Sequence, residues 1–214
     1  MIEAVIFDMD GVIINSIPTH FLAWQYILNE CGVDVDINYI KNTAGHTSLK
    51  TAKIYKEKFG LDQNITYLSN AKIEKYNTLL EKSIELFPEF LPLLEDLKSN
   101  NIPISIATSE DLNTTNKIIN KFNIKKYFSH ITTNDMVEYG KPHPEIYLKS
   151  AQLLNVKPEN CIAIEDSQPG VQAAKSAGMY CIAVLTTTDE EKLKNADLIV
   201  KNLSEIDIKT ISKL

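Results

Sequence analysis

Glu3-Ala4-Val5-Ile6-Phe7-Asp8-Met9-Asp10-Gly11-Val12-Ile13-Ile14-Asn15-Ser16 is the stretch that decides the fold. Ala4 to Phe7 is a short apolar run with β-branched members, the pattern of a strand buried on both faces of a parallel sheet. The run ends in two carboxylates one residue apart, followed by a glycine. Side chains alternate along a strand, so Asp8 and Asp10 can share a side while extended geometry lasts. Gly11 lets the backbone turn sharply just after them. In open α/β sheets, ligands bind beyond the carboxyl ends of the strands. Two acids placed there repel each other unless a cation or a shared proton intervenes. An Asp-x-Asp-Gly is also an ordinary loop cap, and the rest of the chain decides between the two.

Working outward, 214 residues with 44% hydrophobic content suit one large α/β domain, or a core domain with a smaller insert. A net charge of -6 argues against a nucleic-acid binder, which would show a basic surface, but allows a local positive pocket for an anion. Cys31, Cys161 and Cys181 have neither metal spacing nor a disulfide framework, and the last two sit in apolar runs that read as core. No signal peptide is visible and no apolar run approaches membrane-spanning length, so the expectation is a cytoplasmic protein with no membrane partner. All 22 basic residues are lysine; the chain has no arginine.

Pro18 to Glu30 reads as a helix, with Phe21, Trp24, Ile27 and Leu28 at helical spacing and Gly32 as a stop. Residues 36–42 suggest a short helix. Thr43 to Ser48 reads as a loop. Helices over Ser48–Phe59, ended by Gly60, and over Thr66–Ser83 follow. Residues 17–84 are therefore expected to form a wholly helical insert, a cap domain, within a core made of residues 1–16 and 85–214. From Pro88 the pattern changes. Helices are expected over Glu89–Ser99, Asn113–Phe122, Pro144–Leu154 and Gln168–Ala177. Strands are expected over Ile102–Ala107, Phe128–Thr132, Cys161–Ile164, Tyr180–Leu185 and Leu198–Val200, the last followed by a terminal helix. Such alternation indicates a parallel sheet and an α/β fold class, a Rossmann-like three-layer core plus the inserted helical cap domain.

Several expected strands end in polar residues: Asp8 and Asp10, Thr108 and Ser109, Glu165 and Asp166, with Lys141 in the loop after another. In a parallel sheet these ends lie along one edge. The chain resembles the haloacid dehalogenase superfamily, in the branch of phosphoglycolate phosphatase-like and β-phosphoglucomutase-like proteins. The matching segments are Phe7-Asp8-Met9-Asp10-Gly11-Val12, Ile104-Ser105-Ile106-Ala107-Thr108-Ser109, Gly140-Lys141-Pro142-His143-Pro144 and Ile164-Glu165-Asp166-Ser167-Gln168-Pro169-Gly170. Each is weak alone; all four in order are specific. The resemblance implies Asp8 as a nucleophile forming an aspartyl phosphate. It implies Asp10 as the acid/base, a residue that the dehalogenases lack. It implies Mg2+ held by Asp8, the Asp10 carbonyl, Asp166 and also Glu165, the last either directly or from an outer shell. Thr108 and Ser109 would hold phosphate oxygens, and Lys141 would neutralise charge on Asp8 and the transferring group. Ser167 and His143 read as residues that shape their loops.

In the cap, His20, Gly45, His46 and Thr47 are candidate substrate contacts. His20 and Trp24 share a helix face, where Trp24 reads as cap core and His20 as either a site or an interface histidine. The expected function is a Mg2+-dependent phosphatase, a phosphoric monoester hydrolase of small phosphorylated metabolites such as sugar phosphates or phosphoglycolate. A monomer or weak dimer is expected, with no nucleic-acid partner. The alternative is a β-phosphoglucomutase-like mutase. Members of that group use a cap arginine for the second phosphate, and Lys41, Lys50 or Lys53 would have to replace it without the bidentate fork. A phosphonatase using Lys50 or Lys53, and a binding protein on a retired hydrolase fold, fit less well. The second would have lost Asp8, Asp10, Lys141 or Asp166, and all four are present.

Overall fold

The computed structural model describes residues 2–41, 43 and 47–214, with the backbone alone at 81–83. The chain divides into two compact units, residues 1–15 with 86–214, and residues 16–85. In the first unit, β1 (Ala4–Phe7) leads out to the second unit, which holds α1 (Ile17–Glu30), α2 (Ile37–Lys41), α3 (Ser48–Phe59) and α4 (Ile65–Ser83). The chain then returns through α5 (Phe90–Ser99), β2 (Ile104–Ala107), α6 (Leu112–Lys121), β3 (His130–Thr132), α7 (Glu145–Leu154) and β4 (Cys161–Glu165). It closes with α8 (Gln168–Ser176), β5 (Tyr180–Val184), α9 (Glu190–Leu193), β6 (Leu198–Val200) and α10 (Ile208–Ile211).

All neighbouring strands pair in parallel, in the order β3-β2-β1-β4-β5-β6. Val5 lies opposite Ile104 on one side and Ile162 on the other. Every residue of β1 is fully buried, which is why its run is apolar without alternation. Ala4 and Ile6 face a cluster with Ile146, Tyr147 and Ala151 of α7 and Val171 and Ala174 of α8. Phe7 faces the other side, edge-on to Phe90 of α5 at 5.4 Å and 84°. Helices thus cover both faces, as an all-parallel sheet requires. The chain builds outward from β1 to β3, then returns to place β4 on the other side of β1. That reversal opens a crevice at the carboxyl ends of β1 and β4, where α/β sheets bind ligands.

Two strands begin later than their apolar runs suggest. The Ile102 N–H is spent on the Leu97 carbonyl, closing α5, so β2 starts at Ile104. The Phe128 N–H closes a turn on the Lys125 carbonyl, and β3 starts at His130. The short α9, in a stretch with no periodic signal, is an addition to the expected elements.

The helical unit has its own core. Trp24, Ile27, Leu28, Ile40, Ala52, Tyr55, Leu61 and Leu68 pack together, with Trp24 edge-on to Tyr55 at 5.2 Å. Asn64 accepts the Tyr67 N–H at 2.7 Å as the cap of α4, and Gly60 at φ 64° ends α3. Among the described residues no helix is long and apolar enough to cross a membrane.

Candidate active site

Three strand ends and one loop build the site in the α/β unit. Asp8 follows β1 directly and is 7% exposed. Its N–H donates to the Ile164 carbonyl at 2.9 Å, which continues the β1–β4 ladder one residue past the strand. The next turn is tight: the Met9 carbonyl accepts the Ile13 and Ile14 N–H groups at 2.9 and 3.0 Å, and Gly11 sits at φ 80°. Asp10 lies in this turn and is partly exposed. Thr108 follows β2, fully buried; its N–H donates to the Thr132 carbonyl, and its hydroxyl accepts the Glu110 N–H at 3.1 Å. Ser109 beside it is exposed.

Lys141 comes from the loop between β3 and α7. Glu145 closes that loop by accepting the Glu138 and Tyr139 N–H groups at 3.0 and 2.9 Å. The Lys141–Pro142 peptide is cis. The Lys141 ammonium donates to Asp8 Oδ1 at 2.5 Å, to Glu165 Oε1 at 2.6 Å and to the Ala107 carbonyl at 3.1 Å. One side chain thereby joins the ends of β1, β2 and β4.

Glu165, the last residue of β4, has no exposed surface. Its Oε1 accepts from Lys141 and from the Tyr147 hydroxyl at 2.7 Å. Its Oε2 accepts the Asp166 N–H at 3.1 Å, the Ser167 N–H at 3.3 Å and the Ser167 hydroxyl at 3.0 Å. Gly170, at the start of α8, lies against this carboxylate so closely that a Cβ there would sit 1.9 Å from Glu165 Cδ. Asp166 is 4% exposed, and the Thr187 hydroxyl donates to its Oδ2. The Ser167 hydroxyl also accepts the Gly170 N–H at 3.2 Å, capping α8.

The charges conflict in an informative way. One oxygen from each of Asp8, Glu165 and Asp166 lies within 4.8 Å of the others, and all three residues are buried. Burial pushes the Asp8 carboxyl up, and Glu165 and Asp10 add to this against the pull of Lys141. Burial, Glu165 and Asp8 push Asp166 well above the usual carboxylate range. Burial works to raise Glu165 too, but Lys141 and the donors around it hold it low. Burial would lower Lys141, yet Asp8 and Glu165 hold it above its ordinary value. Of these three buried carboxylates, the Lys141 ammonium pairs directly with Asp8 and Glu165 and leaves Asp166 to the Thr187 hydroxyl. The donor set is all hard oxygen at the spacing of a single ion, so these residues fit a divalent cation such as Mg2+. Glu165 is the least free of the three, because both its oxygens are already engaged.

The structure thus brings Asp8, Thr108, Lys141, Glu165 and Asp166 to the sheet edge named from sequence, with Asp10 in the adjoining turn. Gly45 and His46 lie outside the described residues. Thr47 is exposed and its hydroxyl caps α3 by accepting the Lys50 N–H at 3.3 Å. His20 stacks on Tyr76 at 4.0 Å, and its Nδ1 lies 2.6 Å from the Lys72 ammonium. Burial and the Lys72 charge hold the imidazole down to about 3, so it is neutral at pH 7. Lys41, Lys50 and Lys53 are exposed. Sequence reasoning missed Lys72, a lysine buried on the same face of α4 as Leu68, Tyr76 and Leu80; a polar residue at a core position was the available signal. It also missed Tyr147, which reads as core, and Thr187, which carries no pattern.

A family model described as haloacid dehalogenase-like hydrolase matches residues 5–184. The β-phosphoglucomutase of Bacillus subtilis is 33% identical over 98% of this chain and 93% of its own. A phosphorylated carbohydrates phosphatase of Thermotoga maritima is 32% identical over 83% of this chain and 82% of its own. The crystal structure of β-phosphoglucomutase from Clostridium difficile superposes with a TM-score of 0.78 at 32% identity, covering 100% of this chain and 96% of that one. With matches of this extent, and three strand ends and the loop after β3 supplying the acids, threonine and lysine of one site, the chain belongs to the haloacid dehalogenase-like hydrolases.

Proposed function

We propose that the protein is a Mg2+-dependent phosphatase of small phosphorylated metabolites, of the sugar phosphate or phosphoglycolate type. The observation that carries this reading is the Lys141 ammonium, held between Asp8 and Glu165 at 2.5 and 2.6 Å beside Asp166 and Thr108. Asp8 is the nucleophile: a carboxylate oxygen attacks phosphorus, the bond to the leaving oxygen breaks, and an aspartyl phosphate forms. Asp10 gives its proton to the leaving alkoxide, then takes one from the water that attacks the aspartyl phosphate and frees inorganic phosphate. The Thr108 hydroxyl donates to a phosphate oxygen, and Lys141 offsets the charge gathering on the phosphoryl group. Asp8, Asp166 and the Asp10 carbonyl would hold Mg2+, with Glu165 serving chiefly to anchor Lys141. The ion would supply positive charge to the attacking carboxylate and the phosphate oxygens.

The test is phosphate release from a panel of sugar phosphates, phosphoglycolate and nucleotides, with Mg2+ or chelator, and with Asp8→Asn as control. Metal-dependent release that disappears in the variant supports the reading. A second reading, a phosphomutase, is favoured by the likeness to the Bacillus subtilis enzyme. Against it stands the lack of any arginine for a second phosphate. No release from the panel, with conversion of β-glucose 1-phosphate in the presence of a bisphosphate primer, would replace the first reading by the second.

A further inference from the structure

The loop after β5 contributes two hydroxyls to the site, and neither belongs to the four sequence motifs. Thr186 Oγ1 donates to the Gly11 carbonyl at 2.5 Å. Thr187 Oγ1 donates to Asp166 Oδ2, and also lies 3.2 Å from the Asp166 carbonyl. Gly11 closes the other side of the same oxygen: a Cβ built on it would stand 2.0 Å from Asp166 Oδ2 and 2.8 Å from Thr187 Cγ2. Asp166 Oδ2 is thus enclosed between the Gly11 backbone and the Thr187 side chain, while Oδ1 has no hydrogen-bond partner among the described residues. Nearly all of the Asp166 side chain is buried, so water does little to fix its orientation.

We infer that Thr187 is a positioning residue for cation binding: its hydroxyl holds one Asp166 oxygen so that the other is presented to a divalent ion beside Asp8. Thr186, by gripping Gly11, ties the same loop to the turn after β1. A carboxylate held at one oxygen loses little freedom when the other meets a cation, and partners of this kind commonly govern metal affinity by about 10- to 100-fold. The inference rests on the Mg2+ reading above.

The measurement is Mg2+ binding by calorimetry to the wild type, Thr187→Val and Thr187→Ser. Valine keeps the shape and removes the hydroxyl; serine keeps the hydroxyl and removes the methyl group. The expected result is about a tenfold or greater weakening in the valine variant, with serine close to wild type. The Mg2+ concentration for half-maximal turnover should rise by the same factor. Thr187→Ala replaces valine if that variant does not fold. Wild-type affinity in Thr187→Val, or equal losses in valine and serine, would overturn the inference while leaving the Mg2+ reading intact. A wild-type protein that takes up no Mg2+ would overturn both.

Discussion

Gly170→Ala sets two known effects against each other. Gly170 lies in the first turn of α8, where alanine is intrinsically better than glycine by about 1 kcal/mol. A Cβ there would fall 1.9 Å from both Cδ and Oε1 of Glu165 and 2.1 Å from Oε2. The carboxylate cannot shift cheaply, since it is fully buried and takes five donors. Overpacking of this kind costs about 1–3 kcal/mol, and each charged hydrogen bond lost adds about 1.5–3 kcal/mol. Losing a single bond already leaves a net destabilisation of about 1.5–5 kcal/mol, so the clash wins over propensity. For a chain of this size that lowers the melting temperature by roughly 3–20 °C. Displaced Glu165 also ceases to anchor Lys141, so turnover should fall at least about tenfold. Thermal melting followed by circular dichroism, together with phosphate release, tests both consequences. A variant that melts at or above the wild-type temperature with full turnover would refute the reasoning, because the Glu165 carboxylate would then not need the space that Gly170 leaves.

Asp8→Asn should abolish turnover while leaving the circular dichroism spectrum unchanged; substantial residual activity would remove Asp8 from the nucleophile role. Asp10→Asn should suppress turnover by about 10²–10⁴-fold, and a mild effect would assign the proton transfer to another group. The unfolded chain protonates His20 below about 6.5, whereas the folded chain does so only near 3, so the His20 contribution to stability should fall as pH drops below 6.5, opposite in sign to the contributions of Asp8 and Asp166, whose carboxyls burial raises. Between pH 7.5 and 5 the loss is up to about 2 kcal/mol. His20→Asn should remove that contribution, read in denaturant melts as the difference between the wild-type and variant pH profiles, and identical profiles would refute it. Asp111 caps α6 by accepting the Thr114 N–H and hydroxyl, both at 2.8 Å, so Asp111→Ala should cost about 1 kcal/mol in the same assay.

The α/β order and the carboxyl edge were legible because a two-face-buried strand followed by acids is a local pattern. β1, β4 and β5 begin where their apolar runs begin, since burial on both faces leaves no polar residues to blur the boundary. β2 and β3 lose residues at their starts to turns that spend the backbone N–H groups elsewhere, and composition does not reveal such turns. At the site, Asp8, Thr108, Lys141 and Asp166 stand at strand ends or in a motif loop. Tyr147 and Thr187 do not. Tyr147 sits on a helix face that reads as ordinary core, and only the fold shows its hydroxyl meeting Glu165. Thr187 lies in a stretch without periodicity, and its partner is 21 residues away. His20 and Lys72 are 52 residues apart on different helices, a pairing that spacing cannot supply.

The position of β1 in the sheet also bears on how the chain is made. β1 is translated before the other strands of its sheet and is central, yet its partners Ile104 and Ile162 arrive much later. The helical segment lies wholly in between and carries its own core, so it can fold while β1 is still unpaired. During that interval an apolar strand waits with both edges open, the condition under which nascent chains associate wrongly. Nascent chains released before β4 has emerged would leave one flank of β1 without a neighbour. Pairings this distant in sequence also form slowly. The strand that carries Asp8 is thus the last of the early segments to find both of its neighbours.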